Sequence, residues 1–186
     1  MVINIPQKKL RIGKEQASKK AMAAYLGKKH RSIDEIKGKG YEIVVEDEPT
    51  YYPYWIGLIH TKKDRPLPIY PPKEIMYYVV CDARDRSFIV LRNVPKTEQI
   101  DCEETNLIPA FVKEEEVLGD IAREAINDRI NRQFIFGPPK TTVKDATMIY
   151  LPMIRVKIKK RNSEEGKAFV VNYYTGEVKP IGKAYF

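Results

Sequence analysis

The side chains that most often carry chemistry are few in this chain of 186 residues. Its two histidines, His30 and His60, have no Cys or carboxylate partners at the spacing of zinc ligands. Its two cysteines, Cys81 and Cys102, do not form a Cys-x-x-Cys pair. Cys81 lies in an apolar run and Cys102 in an acidic segment, and both settings raise the pKa of a thiol. The sequence therefore predicts no metal site and no cysteine nucleophile.

Other catalytic signatures are also missing from the sequence. It contains neither a Gly-x-Ser-x-Gly turn nor a phosphate-binding Gly-x-x-x-x-Gly-Lys loop. The adjacent carboxylates Glu103-Glu104 and Glu114-Glu115-Glu116 are typical of solvated surface or of the first turn of a helix. We predict a non-catalytic protein without a cofactor, and keep as an alternative a small enzyme whose active-site residues are scattered along the chain.

The positive charge of the chain is unevenly distributed. The net charge is +8, and the first forty residues hold eleven Lys or Arg against three acidic residues, whereas the other 146 hold 22 of each. Strict alternation over 154–159 would place three basic side chains on one face of a strand. This face either meets phosphates or an acidic protein, or is a solvated face balanced by acids on neighbouring strands. The candidate binding residues are Lys14, Lys19, Lys20, Lys28, Lys29, Arg31, Arg155, Lys157, Lys159 and Arg161.

Two helices are predicted to organise these residues. Residues 14–31 have an apolar stripe of Ala21, Met22, Tyr25 and Leu26, and Gly38 and Gly40 follow. Residues 113–133 have a wider stripe, ended by Gly137-Pro138-Pro139. Its members are Val117, Leu118, Ile121, Ala122, Ala125, Ile126 and Ile130. The basic residues 1–13 are expected to form an arm or a first edge segment.

Strands follow each predicted helix. After the first come 41–48, 51–61 and a hairpin of 75–83 with 87–94, with breaks at Pro49 and Pro53 and a proline-rich extended loop at 64–72. After the second come 141–147, 149–160 and a hairpin of 167–174 with 177–182. The run 51–61 is apolar on both faces, which predicts a central strand covered on both sides.

The two halves share short sequences as well as element order. Tyr51-x-Pro53 matches Tyr150-x-Pro152, and Tyr78-Val79-Val80 matches Phe169-Val170-Val171, at separations of about 90–100 residues. Chance recurrence in a strand-rich chain is the alternative to duplication. We predict an α+β fold of two related α-β-β-β halves, 14–95 and 113–186, joined by a connection at 96–112. Each helix is expected to lie across its own antiparallel sheet.

The last hairpin carries a resemblance to a known family. The segment FVVNYYTGEVKPI (169–181) resembles the closing hairpin of the PepSY family, and Gly176 suits a tight turn that needs positive φ. The first half has Ala83-Arg84-Asp85-Arg86 at its turn, without glycine. The resemblance implies a cystatin-like layout and a role in binding or restraining peptidases, although PepSY modules are mostly extracytoplasmic.

The functional prediction is a protein-binding or peptide-binding module that acts through sheet edges, the loop 64–72 or the basic strand. The alternative is nucleic-acid association through residues 8–31 and 155–161, with tyrosines such as Tyr150, Tyr173 and Tyr174 stacking on bases. The sequence has no apolar run of about 20 residues and its start lacks the apolar stretch of a secretory signal. We therefore expect a cytoplasmic protein with no membrane partner.

Overall fold

Helices and strands combine in an α+β fold, which confirms the predicted class. The computed structural model describes residues 1–7, 12–27, 40–64, 71–135, 137–163 and 165–185. Helix α2 covers residues 114–133, and a short 3-10 turn covers Glu104–Asn106. The remaining elements are β1 (Val2–Pro6), α1 (Lys14–Leu26), β2 (Tyr41–Val45), β3 (Thr50–Lys63), β4 (Lys73–Asp82), β5 (Phe88–Leu91), β6 (Thr97–Asp101), β7 (Lys140–Lys160), β8 (Glu165–Asn172) and β9 (Val178–Tyr185).

Helix α1 buries a face of small residues and one methionine. Ala17, Ala21 and Met22 are fully buried, so the helix backbone approaches the sheet closely. The helix ends at Gly27, whose φ of +64° is readily reached by a residue without a side chain. Helix α1 therefore ends before residue 31, the predicted bound, and residues 28–39 lie outside the described part of the chain.

Helix α2 is continuous but not uniformly wound. α-Helical turns at Glu114–Glu116 and Ala122–Ala125 alternate with wider π-helical turns at Val117–Ile121 and Ile126–Ile130. A 3-10 turn, Asn131–Gln133, ends it. The predicted stripe is confirmed by five fully buried side chains, which are those of Val117, Ile121, Ala122, Ala125 and Ile130.

The main sheet is built around one long antiparallel pair, β3 with β7. The strand order is β5-β4-β3-β7-β8-β9, and β2 pairs with the last part of β7. Tyr51 lies opposite Pro152 and Pro53 opposite Tyr150, so the two repeated Tyr-x-Pro sequences face each other. Pro53 therefore does not end a strand as predicted. Residues 141–147 and 149–160, predicted as two strands, form one strand.

Each helix packs mainly on strands of the opposite half and partly on those of its own, whereas it was expected to cover its own alone. Helix α1 packs on Val156 and Phe169, whereas α2 packs on Ile59 and Val79. The backbone entering each helix explains the crossing. Before α1, the Ile12 N–H donates to the carbonyl of Tyr173, in the second hairpin turn, at 3.0 Å. Before α2, the Val112 N–H donates to the carbonyl of Ala83, in the first hairpin turn, at 2.9 Å.

The turns of the two main hairpins have the same hydrogen bonds. Oδ1 of Asp82 accepts the Arg84 N–H, and Oδ1 of Asn172 accepts the Tyr174 N–H. In the next turn positions, Oδ1 of Asp85 accepts the Ser87 N–H and Oγ1 of Thr175 accepts the Glu177 N–H. We call residues at matching positions of these hairpins corresponding residues. By this measure Asp82 corresponds to Asn172 and Arg86 to Gly176.

This correspondence shifts the predicted match of the strands by one residue. Phe169 corresponds to Val79 rather than to Tyr78, and both Phe169 and Val79 face a helix. A shift of one residue places a side chain on the other face of a sheet. The positive φ expected at Gly176 is confirmed at +70°, and Arg86 adopts nearly the same value, +66°.

The N-terminal segment is a strand rather than a free arm. Strand β1 pairs antiparallel with β6, with Ile3 opposite Ile100, and the Met1 amine donates to the Cys102 carbonyl at 2.7 Å. The connection at 96–112 therefore contains a strand, β6, which its polar sequence TEQID did not reveal. Residues 8–11 lie outside the described part.

Candidate functional site

The basic strand is flanked by carboxylates. Strand β2 pairs with the last part of β7 and places its acidic side chains on the same face as Arg155, Lys157 and Lys159. Lys157 Nζ lies 2.9 Å and an Arg155 nitrogen 3.5 Å from the carboxylate of Glu46, and Lys159 Nζ lies 3.3 Å from that of Glu42. The predicted alternation is confirmed. Of the two alternatives that the sequence left open, the structure has the face whose basic side chains are balanced by neighbouring carboxylates.

Two of the three described cations of α1 also have carboxylate neighbours. Lys14 pairs with Asp47, and Lys19 pairs with Glu15 at 2.6 Å. The hydrogen bond from Lys19 lowers the pKa of Glu15, and the bond from Lys14 lowers that of Asp47. The remaining predicted residues are Lys20, which lies against Gly176, Arg161, which is exposed in the turn after β7, and Lys28, Lys29 and Arg31, which lie outside the described residues.

The predicted basic residues do not form one surface. Helix α1 packs on Ile154, Val156 and Ile158, the face of β7 opposite Arg155 and its two neighbouring cations. The structure brings the three strand cations together and leaves those of α1 on the other side of the sheet.

A polar cluster that the sequence did not indicate lies on the face of the sheet away from the helices. Asp82 is 1% exposed, and its Oδ1 accepts a hydrogen bond from the Tyr52 hydroxyl at 3.1 Å. Its Oδ2 accepts a bond from Lys179 Nζ. That ammonium group also lies 5.0 Å and 5.1 Å from the ring centroids of Tyr52 and Tyr54. We call Asp82, Lys179, Tyr52 and Tyr54 the Asp82 cluster.

The cluster shifts the pKa values of its own members. Burial raises the pKa of Tyr52, and the nearby Asp82 carboxylate adds to this effect. Burial raises the pKa of Tyr54 as well. Burial alone would lower the pKa of Lys179, but hydrogen bonds to Asp82 and Tyr54 outweigh it and raise that pKa. At neutral pH Lys179 is therefore charged and the two phenols are neutral.

The Asp82 cluster closes the sheet on itself. Lys179 is on β9 and Asp82 is on β4, with β3, β7 and β8 between them in the strand order. Their side chains meet only because the sheet curls around this face. Lys179 is 17% exposed and Asp82 almost inaccessible, so the cluster offers little room for a substrate. Its geometry suits a tie between distant strands better than a catalytic centre.

An apolar face lies beside this cluster, on β3, β4 and β5. It is the surface of the sheet opposite α2, and we call it the apolar face. Leu91 is 36%, Met76 42% and Ile89 57% exposed, and the others are partly exposed. Strand β3 is central as predicted, but its second face is only partly covered. The members are Ile56, Leu58, Met76, Tyr78, Val80, Ile89 and Leu91.

A groove runs along one side of the apolar face. Its volume is about 360 Å³, within the range of ligand-binding clefts. Ile56, Leu58 and Tyr78 form part of its floor, and the chain entering β6, at 94–97, forms a wall. Only Lys96 and Asp145 bring charge to its lining. The groove therefore extends an apolar surface and does not assemble polar groups for catalysis.

Both cysteines are free thiols. Cys81 is buried under α2, and burial, followed by the negative charge of Asp82, raises its pKa from 9.0 to about 11. Burial also raises the pKa of Cys102. Both thiols are therefore protonated at neutral pH and poor nucleophiles.

Comparison with protein-family models, with curated proteins and with solved structures finds no match to this chain. In the described ranges, no three His, Cys, Asp or Glu side chains are arranged as ligands of one metal ion. None of the helices in those ranges combines the length and the apolar character needed to cross a membrane.

The sequence carried a signal for one of the two features that were not predicted, the apolar face, and none for the Asp82 cluster. The apolar residues on both faces of 51–61 indicated either a covered strand or an exposed apolar face, and only neighbouring elements decide between them. Lys179 lies in an alternating hairpin strand, where a lysine usually points to solvent. Nothing local indicates that it reaches a carboxylate 97 positions earlier in the chain.

Proposed function

We propose that this protein is a non-catalytic protein-binding module and that the apolar face is its interface. The observation that carries the proposal is the exposure of Met76, Ile89 and Leu91 on neighbouring strands. Contiguous apolar surface rimmed by polar residues is typical of protein interaction sites. Burying such side chains in a partner would supply about 25 cal/mol for each Å² removed from water.

We further infer two related halves from the matching turns and from the opposed Tyr-x-Pro sequences. The pairing of Tyr51 with Pro152 and of Pro53 with Tyr150 is the register that a twofold relation between β3 and β7 would produce. The shared turn bonds at Asp82 and Asn172 support the same relation. The likeness to PepSY hairpins and a cystatin-like layout stays a proposal, and the free thiols fit the proposed cytoplasmic location.

The test is selection of binders from a random peptide library on the intact protein. Selected peptides should lose at least about tenfold in affinity for Leu58→Lys and for Met76→Lys, because each lysine places a charge within an apolar interface. Val44→Lys is the matched control. Val44 is also exposed, at 39%, but it lies on β2, in the other part of the sheet. Affinity that survives both variants in the apolar face would refute the proposed interface.

Nucleic-acid association and a small enzyme are the two alternative predictions. For nucleic-acid association, the three strand cations are the relevant group, and their carboxylate neighbours Glu42 and Glu46 reduce the charge they offer to phosphates. For an enzyme, the Asp82 cluster is the group with the most perturbed pKa values, but it is closed to solvent. Neither has an observation as direct as the exposed apolar face.

A further inference from the structure

We propose that strand β5 binds an extended, acidic segment of a partner protein as an added strand, an inference that rests on the protein-binding function proposed above. Strand β5 is one edge of the main sheet, and no described strand pairs with its outer side. An open edge presents unpaired N–H and C=O groups that an extended peptide can satisfy. The apolar face ends at this edge, at Ile89 and Leu91.

The hydrogen-bond register shows which backbone groups of β5 are available. Asp82 N–H donates to the Ser87 carbonyl at 2.8 Å, which fixes this pair as hydrogen-bonded. Paired residues of an antiparallel ladder alternate between hydrogen-bonded and non-hydrogen-bonded positions. Ile89, opposite Val80, therefore bonds to β4, whereas the N–H and C=O groups of Val90 face outward.

The corresponding edge strand, β9, is protected where β5 is not. Val90 corresponds to Pro180, which has no N–H to offer at the same outward position. Ile89 corresponds to Lys179, whose side chain turns back to Asp82. The register of β9 with β8 also shifts between Ala168 and Phe169, and such irregularities blunt an edge. One edge of the sheet is closed to an added strand, and the other is open.

The charge beside β5 favours an acidic segment. A groove of about 390 Å³ lies between the start of β5 and α2, and its charged lining consists of three arginines, Arg86, Arg129 and Arg132, and two carboxylates, Glu124 and Asp128, so that positive charge is in excess. Arg86 pairs with Glu116 and Arg132 with Asp128, but no carboxylate pairs with Arg129 among the described residues. Side chains of an added strand alternate between the two sheet faces. One set would meet this groove, and the other would extend the apolar face.

A second copy of the chain fits this edge less well. In an antiparallel β5 to β5 pair, the Arg86 end of one strand would lie near the Arg92 end of the other, and like charges facing across strands are destabilising. Among the described residues, Arg92 donates to the neutral Gln133 amide oxygen at 3.2 Å and lies 5.9 Å from the centroid of the Tyr77 ring, and no carboxylate there pairs with it, so its charge is available to an acidic partner. Charge therefore selects a different, acidic chain as the occupant.

The probe is a blocked peptide of about eight residues with alternating Glu and Val, which is the length of an ordinary strand. Its binding to the intact protein is measured by fluorescence polarisation, beside a Lys/Val peptide and a Glu/Val peptide with N-methylated pairing amides. We expect binding of the Glu/Val peptide only. Val90→Pro, which copies the corresponding residue of β9 and removes the outward N–H, should weaken it at least about tenfold.

Two further variants separate charge from strand addition. The double variant Arg92→Gln with Arg129→Gln should lower the affinity for the Glu/Val peptide. Val44→Lys should leave that affinity unchanged. Thermal unfolding of each variant shows that it is folded. Ile89 is exposed, so Ile89→Glu, which removes an apolar contact and repels the Glu/Val peptide, keeps the test decisive if Val90→Pro fails to fold.

Several outcomes would overturn the inference. These are no measurable binding of the Glu/Val peptide, equal binding of the Lys/Val peptide, full binding of the N-methylated peptide, or a dimer of the free protein that Ile89→Lys disperses. Library peptides that depend on Leu58 and Met76 but not on Ile89 and Val90 would leave the proposed function standing and reject strand addition alone.

Discussion

The two ends of the main sheet carry different side chains on the face that points away from the helices. On β3, β4 and β5 the face away from the helices carries apolar side chains that are partly exposed, and on β7, β8 and β9 the matching face carries Arg155, Lys157 and Lys179 beside carboxylates. At corresponding positions, Ile89 is 57% exposed and Lys179 17% exposed. On β9, Lys179 helps to close the sheet through the Asp82 cluster, whereas the apolar face at β5 stays exposed and is the interface that we propose.

The largest effect is expected when the Asp82 cluster, which joins the two ends, loses its ion pair. Asp82→Asn keeps the turn, since the corresponding Asn172 makes the same bond to the backbone. It leaves Lys179 without its carboxylate, and removing one partner of a buried pair costs roughly 3–5 kcal/mol. The free energy of unfolding in urea at neutral pH measures the loss.

Two further variants control this prediction. In the double variant Asp82→Asn with Lys179→Ile, the second change copies Ile89, and it should recover at least half of the loss because no charge stays buried. Glu15→Gln breaks the exposed pair with Lys19 and should change stability far less. A cost for Asp82→Asn no greater than that of Glu15→Gln would show that the cluster does not tie the sheet together.

Much of the local structure of both ends was readable from the sequence, and most of the contacts between them were not. The stripe of α2 has the 3.6-residue period of a buried helix face, and Gly176 is the residue type that a tight hairpin turn with positive φ favours. Strand β6 has the polar sequence TEQID and becomes a strand only because β1 pairs with it. The partner of Asp82 is 97 positions away and depends on the curl of the whole sheet.

A second effect distinguishes the two ends at high pH. Cys81 corresponds to Val171, and its pKa is raised in the folded protein from 9.0 to about 11. Between these values the unfolded chain has lost the thiol proton and the folded chain has kept it, so stability falls as pH rises. The thiol alone should remove roughly 2 kcal/mol over this window.

Cys81→Val copies the second half and removes this titration. The difference in unfolding free energy between wild type and variant, measured with a reductant present, should therefore change between pH 8 and pH 11 in favour of the variant. Tyr52 and Tyr54 also have raised pKa values and destabilise both proteins equally above pH 10. Parallel pH profiles for wild type and variant would show that the thiol is not the source.

The candidate interface was harder to anticipate than the fold for a physical reason. Alternation assigns Leu58 and Tyr78 to one face of a strand, but whether water or another element covers that face depends on the rest of the chain. The basic strand was visible because its side chains carry charge, and Glu42 and Glu46 were not assigned as partners because β2 could have paired elsewhere. Sequence patterns therefore located the strands and did not locate their neighbours.

The smallest expected effects come from exchanging the residues at the two positive-φ turn positions. Gly176→Ala should cost roughly 1–2 kcal/mol, since its φ is +70° and an added Cβ would lie 2.6 Å from the Lys20 side chain. Arg86→Gly should gain up to roughly 1 kcal/mol by relieving a φ of +66°, less the contribution of the Arg86 to Glu116 pair. Arg86→Ala keeps the strained φ and removes only the pair, so it isolates that contribution in urea unfolding. A loss of stability in Arg86→Gly as large as that in Arg86→Ala would mean that the first turn tolerates its arginine without strain, and the two turns would then differ in more than their residues.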